Sequence, residues 1–371
     1  MIEKHSVRMP RRLETLDAIR GIAAIATLLY HTQIRMGGAP VSAASLSSAY
    51  LAVDLFFGIS GYIMARKYEE GLAAGILPWH HFMAMRVKRL WPLYLASLAI
   101  GIDYAIGAGI TAREGIGAGM VAAAVLLIPL RSGSQMAFPI NPASWSLSLE
   151  FVANAVFARW GCRVSTRSLA WLCATTGVCL AGVSVAGDGL DFGWGGDNFE
   201  WGLLRTAFSY GAGHLVFRLE KSRRIILPQI SAGPLLATVV AIMLFPARDL
   251  GLAGPWDAIM AVAIFPMLLA LACASRPPQV MPGVFAWTGR ISYALYIAQR
   301  PVEMWIVNTA AEIDGYPFRH YLLSALAIIA LTLCVSHLLC VADETLRTIM
   351  TRLSARPLKA ATGGAECQSP S

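Results

Sequence analysis

Asp17, Arg20 and His31 stand in one mostly apolar stretch, "LDAIRGIAAIATLLYHT" at residues 16–32. A charged side chain at the middle of a bilayer costs roughly 2.5–3.5 kcal/mol on insertion scales, so each such residue is a functional candidate. On a helix, the eleven positions from Arg20 to His31 amount to about 16 Å of rise and three turns plus roughly 20°, so both project from one face. Asp17 falls about 40° to the other side of His31. The stripe joins an acid, a fixed cation and an imidazole whose unperturbed pKa of about 6.5 suits a general base. A purely structural reading competes with this one: Arg20 could snorkel to the headgroups and His31 could bond a neighbouring helix.

Further candidates recur along the chain. "LAVDLFFGISGYIMARKY" carries Asp54 and Ser60. The carboxylate of Asp54 could orient an imidazole or hold a hydroxyl, whereas Ser60 and Gly61 fit small-residue helix packing at least as well. "HHFMAMRVKRLWPLYL" carries Arg86, Lys88 and Arg89. Topology alone accounts for a basic cluster here; the alternative is anion capture, since Arg86 and Arg89 lie one turn apart on a helix and form a fork for the phosphates of a nucleotide-bearing cofactor. "NPASWSLSLEFVANAVF" sets Trp145 and Ser146 at the start of a run and Glu150 a turn inside it. In "GLLRTAFSYGAGHLVF", Arg205 is a further charge within a run, and His214 fits packing better. Ser292, Tyr296 and Gln299 follow at i, i+4 and i+7 in "TGRISYALYIAQRPVEMW", a polar stripe that must line an interior.

The elements that carry these residues are membrane helices. Of the 371 residues 56% are hydrophobic and only 14% charged, which marks a polytopic membrane protein in contact with a lipid bilayer. The net charge of +8 sits in short segments between apolar runs, the pattern of the positive-inside rule, and does not indicate a nucleic-acid partner. Seven cysteines lie mostly inside apolar runs without CxxC spacing, so neither a metal site nor a disulfide framework is expected.

Apolar runs lie near 16–36, 48–66, 90–110, 116–131, 144–161, 168–187, 200–218, 229–246, 256–275, 284–307 and 320–342. The basic clusters fall on one side only if one run between Arg89 and Trp160 does not cross. The short, Gly/Ala-rich 116–131 is the best candidate, as a re-entrant or interfacial segment. The expected fold is therefore all-α, with about ten transmembrane helices and both termini cytoplasmic. A basic cytoplasmic arm occupies 1–12, a membrane domain 13–345, and a basic then disordered cytoplasmic tail 346–371.

Taken together, "LDAIRGIAAIATLLYH", "VDLFFGISGYIM", "RVKRLWPLYL", "WSLSLE", "RTAFSYGAG" and "GRISYALYIAQRPV" resemble, in order, the integral-membrane acyltransferase 3 family, which includes O-antigen, exopolysaccharide and Nod-factor O-acetylases. The resemblance implies a multi-pass protein of the bacterial inner membrane. It implies transfer of an acyl group, usually acetyl, from cytoplasmic acetyl-CoA or another acyl-CoA to a hydroxyl of a glycan or lipid-linked saccharide, without a metal and with glycan-assembly machinery as a conceivable partner. The family's essential arginine and histidine fall on Arg20 and His31, its donor-associated R-x-x-R on Arg86 and Arg89, and its serine-tyrosine motif on Ser292 and Tyr293. Two departures stand out: Gln299 replaces the family's usual histidine, and the usual Glu-Lys-Pro ending appears as "ADETLR", with Glu344 kept and no proline.

The catalytic set expected on these grounds is His31 as general base, Arg20 at donor phosphate or developing negative charge, and Asp17 or Glu150 holding Arg20. The donor set is Arg86, Lys88 and Arg89. Asp54, Ser60, Trp145, Ser146, Arg205, Ser292, Tyr293, Tyr296 and Gln299 are the acceptor-side candidates. A transporter or a flippase-like subunit of a glycan export system is the rival reading; a transporter predicts repeated halves with paired broken helices, and the sequence contains neither.

Overall fold

The computed structural model describes residues 13–35, 46–107, 117–130, 136–314 and 321–354. The expected basic arm at 1–12 and the end of the tail, 355–371, lie outside them. No strand occurs among the described residues, only two isolated bridges. Eleven helices follow in order: α1 Glu14–Arg35, α2 Ala52–Ala73, α3 Trp79–Gly107, α4 Ala118–Val125, α5 Ser144–Arg159, α6 Thr166–Ala186, α7 Phe199–Lys221, α8 Ala232–Leu244, α9 Ala253–Ala274, α10 Pro282–Asp314 and α11 Tyr321–Ser354. Three helical stretches, Thr166–Ala186, Ala253–Ala274 and Ser324–Thr351, are long and apolar enough by composition to cross a bilayer.

Local chemistry sets several of these bounds. Ser165 and Ser231 cap α6 and α8 by accepting from the backbone N–H groups of Ser168 and Gly233, as Ncap serines do. The run at 229–246 yields only the 13 residues of α8, because Pro246 pushes Phe245 out of the helical region into an extended conformation. The run at 116–131 yields the eight residues of α4, about 12 Å of helix and far short of a bilayer core. In α9, Pro266 has no N–H to give and crowds the preceding turn; a π-turn over Met260–Ile264 absorbs the mismatch. The last helix runs beyond the apolar run that begins it: residues 343–354, beyond the apolar run at 320–342, stay helical. At 34 residues α11 is about 51 Å long, roughly 20 Å more than a hydrocarbon core.

The closest helix pairs are α2 with α7 and α1 with α10, and in both glycine sets the distance. A Cβ at Gly61 would strike the Tyr210 carbonyl, and one at Gly213 would strike the carbonyl of Gly58. Gly21 and Gly289 seat α1 and α10 on each other in the same way, against Thr288 and the backbone of Asp17. Such close backbone approach is the usual mode of helix association in lipid, where apolar area gives no driving force between helices.

Buried charge supplies the second tie between α2 and α7. Arg205 is 1% exposed and donates from Nη2 and Nε to both oxygens of Asp54, at 2.6 and 3.3 Å. Its remaining donors reach the carbonyls of Phe192 and Tyr50, Ser209 donates to Asp54, and the guanidinium lies over the Trp145 ring. The segment between α6 and α7 is thereby fastened to the bundle, with Asn198 accepting from the N–H groups of Gly193 and Gly195.

Asp54→Asn would leave Arg205 buried without its counter-charge. The expected cost is about 3–5 kcal/mol, read as a clear fall in the thermal unfolding temperature in detergent. Glu70→Gln, which breaks the exposed Lys221 pair at 2.7 Å, should stay within about 1 kcal/mol of the parent protein. Equal melting of the two variants would contradict this account.

Candidate active site

One cavity of about 500 Å³ opens among α1, α2, α3, α5, α10 and α11. Its outer part lies where α1 begins and toward the end of α11, and Asp17, Arg20, Arg89, Arg290, Asp343, Glu344 and Arg347 line it. Deeper in, the walls are Val53, Phe56, Phe57, Leu90, Leu93 and Ile297, with the hydroxyl-bearing Ser60, Ser146, Ser292, Tyr293 and Tyr296 among them. A polar mouth thus leads into a mostly apolar pocket with a few placed hydroxyls, the composition of a site for a ligand with one charged and one uncharged end.

At the mid-depth of the cavity three helices meet on one carboxylate. Glu150 of α5 accepts from Arg86 of α3 at 2.9 Å and from Ser60 of α2 at 2.6 Å, both on Oε1. Arg86 is 5% exposed, and its Nε has no partner within the protein. Ser60 therefore has a polar duty in the cavity wall, whereas Gly61 serves the α2–α7 contact. Arg20 pairs with Asp17 at 3.9 Å, not with Glu150; of the two carboxylates expected to hold it, Asp17 is the one within reach.

On α10 the cavity face carries three hydroxyls in succession. Ser292 donates to the Gly289 carbonyl at 2.8 Å, Tyr293 donates to the Leu90 carbonyl at 2.9 Å, and Tyr296 shares a hydrogen bond with Ser146 at 2.8 Å. Gln299, the next residue of the expected stripe, is 1% exposed, is not part of the cavity wall, and has both amide atoms unpartnered. Lys88 is exposed and stands outside the wall, while Arg89 is part of it.

His31 does not touch this cavity. It is half-buried further along α1, its ring 5.3 Å from that of Tyr30. Arg300 is itself paired with buried Glu303 at 2.6 Å. Phe56 stands between the two regions: it lines the cavity, meets the Tyr296 ring edge-on at 5.3 Å, and packs on the cluster of Ala24, Leu28 and Leu295. Leu28 precedes His31 by one turn. Asp54, Arg205 and Trp145 lie away from the main cavity and spend their polar and π contacts on one another. His214 is buried, with Nε2 3.1 Å from Glu69 and its ring edge-on to Phe157, consistent with packing.

Three residues of the mouth were not among the sequence candidates: Arg290, Asp343 and Arg347. A signal for the last two existed. Asp343 and Arg347 are spaced i, i+4 and form an ion pair at 2.7 Å, the pairing that supports a helix continuing into water. Among the described residues no group of His, Cys, Asp or Glu is arranged to hold a metal ion.

Comparison with known proteins agrees with the motifs. The profile of the acyltransferase domain matches residues 13–341. "Protein 2 in picA locus" of Rhizobium radiobacter is 33% identical over 185 residues, 46% of this chain and 94% of that protein. A putative O-acetyltransferase of Staphylococcus aureus strain COL is 30% identical over 94 residues, 24% of this chain. The O-acetyltransferase OatA of S. aureus strain NCTC 8325 is 31% identical over 101 residues, 26% of this chain. The chain spans only 14% and 15% of these two staphylococcal proteins. No solved structure matches. With the profile spanning nearly every helix that builds the cavity, the chain belongs to the acyltransferase 3 family of membrane acyltransferases.

Proposed function

We propose that this protein is an acyl-CoA-dependent O-acyltransferase of the bacterial inner membrane. It moves an acetyl group from cytoplasmic acetyl-CoA to a hydroxyl of a cell-surface or exported glycan, or of its lipid-linked precursor. The observation that carries the proposal is the cavity itself, with five arginines at and below its mouth and apolar walls beyond. Ten bilayer crossings, with both termini and the arginine-rich mouth in the cytoplasm, complete the reading; the basic loops support it. Glycan-assembly machinery would supply the acceptor.

The residues divide by depth. Arg20 and His31 share a helix face but are separated by about 16 Å of rise, so they cannot serve the same reacting atom. Arg20, with Arg89, meets the donor's anionic end. Arg86, already bonded to Glu150, fixes the wall behind them. The uncharged arm of the donor extends along Ser60, Ser292, Tyr293 and Tyr296 toward the inner end, and rotation of Phe56 lets the thioester pass to His31. There the imidazole takes the proton of the acceptor hydroxyl and the oxygen attacks the thioester carbonyl. The tetrahedral intermediate collapses with cleavage of the C–S bond, and the protonated imidazole returns its proton to the departing thiolate. Gln299 and Arg300 are the polar groups nearest the acceptor in this scheme, with Arg300 the cation available to the developing oxyanion. The buried Asp54–Arg205–Trp145 unit shapes the acceptor side from behind.

His31→Ala should abolish transfer of labelled acetyl from acetyl-CoA to a bacterial surface glycan by purified protein, with membrane insertion unchanged; retained transfer would remove the assignment. Phe56→Trp, which enlarges the barrier ring, should lower kcat for transfer by tenfold or more on the order expected of a gate, with the KM for acetyl-CoA within about twofold; a rise in KM with kcat intact would place Phe56 in donor binding instead.

A further inference from the structure

The outer third of α11 is the unexplained part of the molecule. It continues well past its apolar run and brings Asp343, Glu344 and Arg347 to the cavity mouth, opposite Arg89 of α3 and beside Arg290 of α10. We propose that this extension is a wall of the donor entrance, and that Arg290 and Arg347 bind the outer phosphates of a multiply phosphorylated acyl donor together with Arg89. The inference rests on the acyl-CoA reading above and narrows it to donors with several phosphate groups, as opposed to a thioester on a carrier with a single phosphodiester.

The charge pairing at the mouth supports this. Arg86 is committed deeper in the cavity, to Glu150 at 2.9 Å, whereas Arg20, 3.9 Å from Asp17, faces the donor with Arg89. At the rim, Arg89 has no carboxylate within ion-pair distance among the described residues. Arg290 has only Glu344 at 4.0 Å, with both side chains more than half exposed. Arg347 gives Nε to Asp343 and Nη2 to the Arg89 carbonyl, leaving Nη1 open. Asp343, mostly buried, engages only the Nε of Arg347, and the exposed Arg290–Glu344 pair is worth about 0–1 kcal/mol. A phosphate accepts two parallel, charge-assisted hydrogen bonds from one guanidinium, and so displaces such a carboxylate. Glu344 then holds Arg290 at the entrance until the donor arrives, while Asp343 orients Arg347.

The backbone of α3 fixes the spacing. Pro92 cannot donate to the Lys88 carbonyl and disturbs the turn before it. The next two carbonyls accept bonds from outside the helix: Arg89 from Arg347 and Leu90 from Tyr293. The proline thus produces the sites by which α10 and α11 dock against the residue that carries the third guanidinium.

The test is binding, which does not depend on turnover. Calorimetry on full-length protein in nanodiscs would use coenzyme A and, as the phosphate-free probe, pantetheine. Arg290→Gln and Arg347→Gln should each weaken coenzyme A about tenfold, the size expected for one charge-assisted contact, and leave pantetheine unchanged. Glu344→Gln should tighten coenzyme A by removing a competing carboxylate. Rising salt should erase the preference for coenzyme A. Arg347→Lys, which keeps the charge, should restore part of the affinity. If Arg347→Gln weakens both probes equally, Arg347 only supports the Arg89 backbone and the proposal fails. It also fails if the wild-type protein binds the two probes equally or binds neither. A protein that binds coenzyme A in the expected way yet transfers no acetyl group would keep the entrance and lose the acyltransferase scheme.

Discussion

The structure depends on pairing charges inside an apolar bundle. An ionised side chain in such an interior is tolerated only when another element meets it with a counter-charge and hydrogen bonds. Glu150 is where this constraint acts most directly on the site, since one carboxylate oxygen receives Arg86 from α3 and Ser60 from α2. Asp54 and Arg205 apply the same rule between α2 and α7. The helices are held in register by charge and by glycine contacts, and the cavity is the space that those fixed distances leave open.

This explains why the helices richest in chemistry are poor membrane spans by composition. The three stretches apolar enough to qualify belong to α6, α9 and α11, and of these only α11 reaches the cavity, through its less apolar end. Helices α1, α2, α3, α5 and α10 carry the ionisable residues and rely on one another to hide them. The family profile spans both kinds of helix and stops at residue 341, just before the polar part of α11.

Much of this was legible in the sequence. Each apolar run falls on a helix, but α2, α3, α10 and α11 extend well beyond theirs, α3 beginning at Trp79 and not near residue 90; the shortness of 116–131 already marks the segment that becomes α4. Helical arithmetic puts Arg20 and His31 on one face; it cannot say that only Arg20 lines the cavity, whose wall Phe56 of α2 and Tyr296 of α10 help to form. Nor does local spacing reveal that the partner of Arg86 is Glu150, 64 positions away. Pairings of that range are decided by which helices become neighbours. The extension of α11 was missed for a different reason: a hydropathy window stops where the apolar run stops, although the Asp343–Arg347 spacing shows the helix going on.

The contact between Phe56 and Tyr296 has an electrical consequence as well. On the proposed scheme, with the donor cavity on one side and His31 toward the other, the bundle would be a step away from being a pore. Each elementary charge that leaked through it would dissipate about 2.3 kcal/mol per 100 mV of membrane potential. The edge contact puts apolar ring surface, not water-binding groups, at that point of the cavity wall. On the proposed scheme, that contact would let the protein keep a deep, cation-lined pocket in an energised membrane without becoming a conduit for ions.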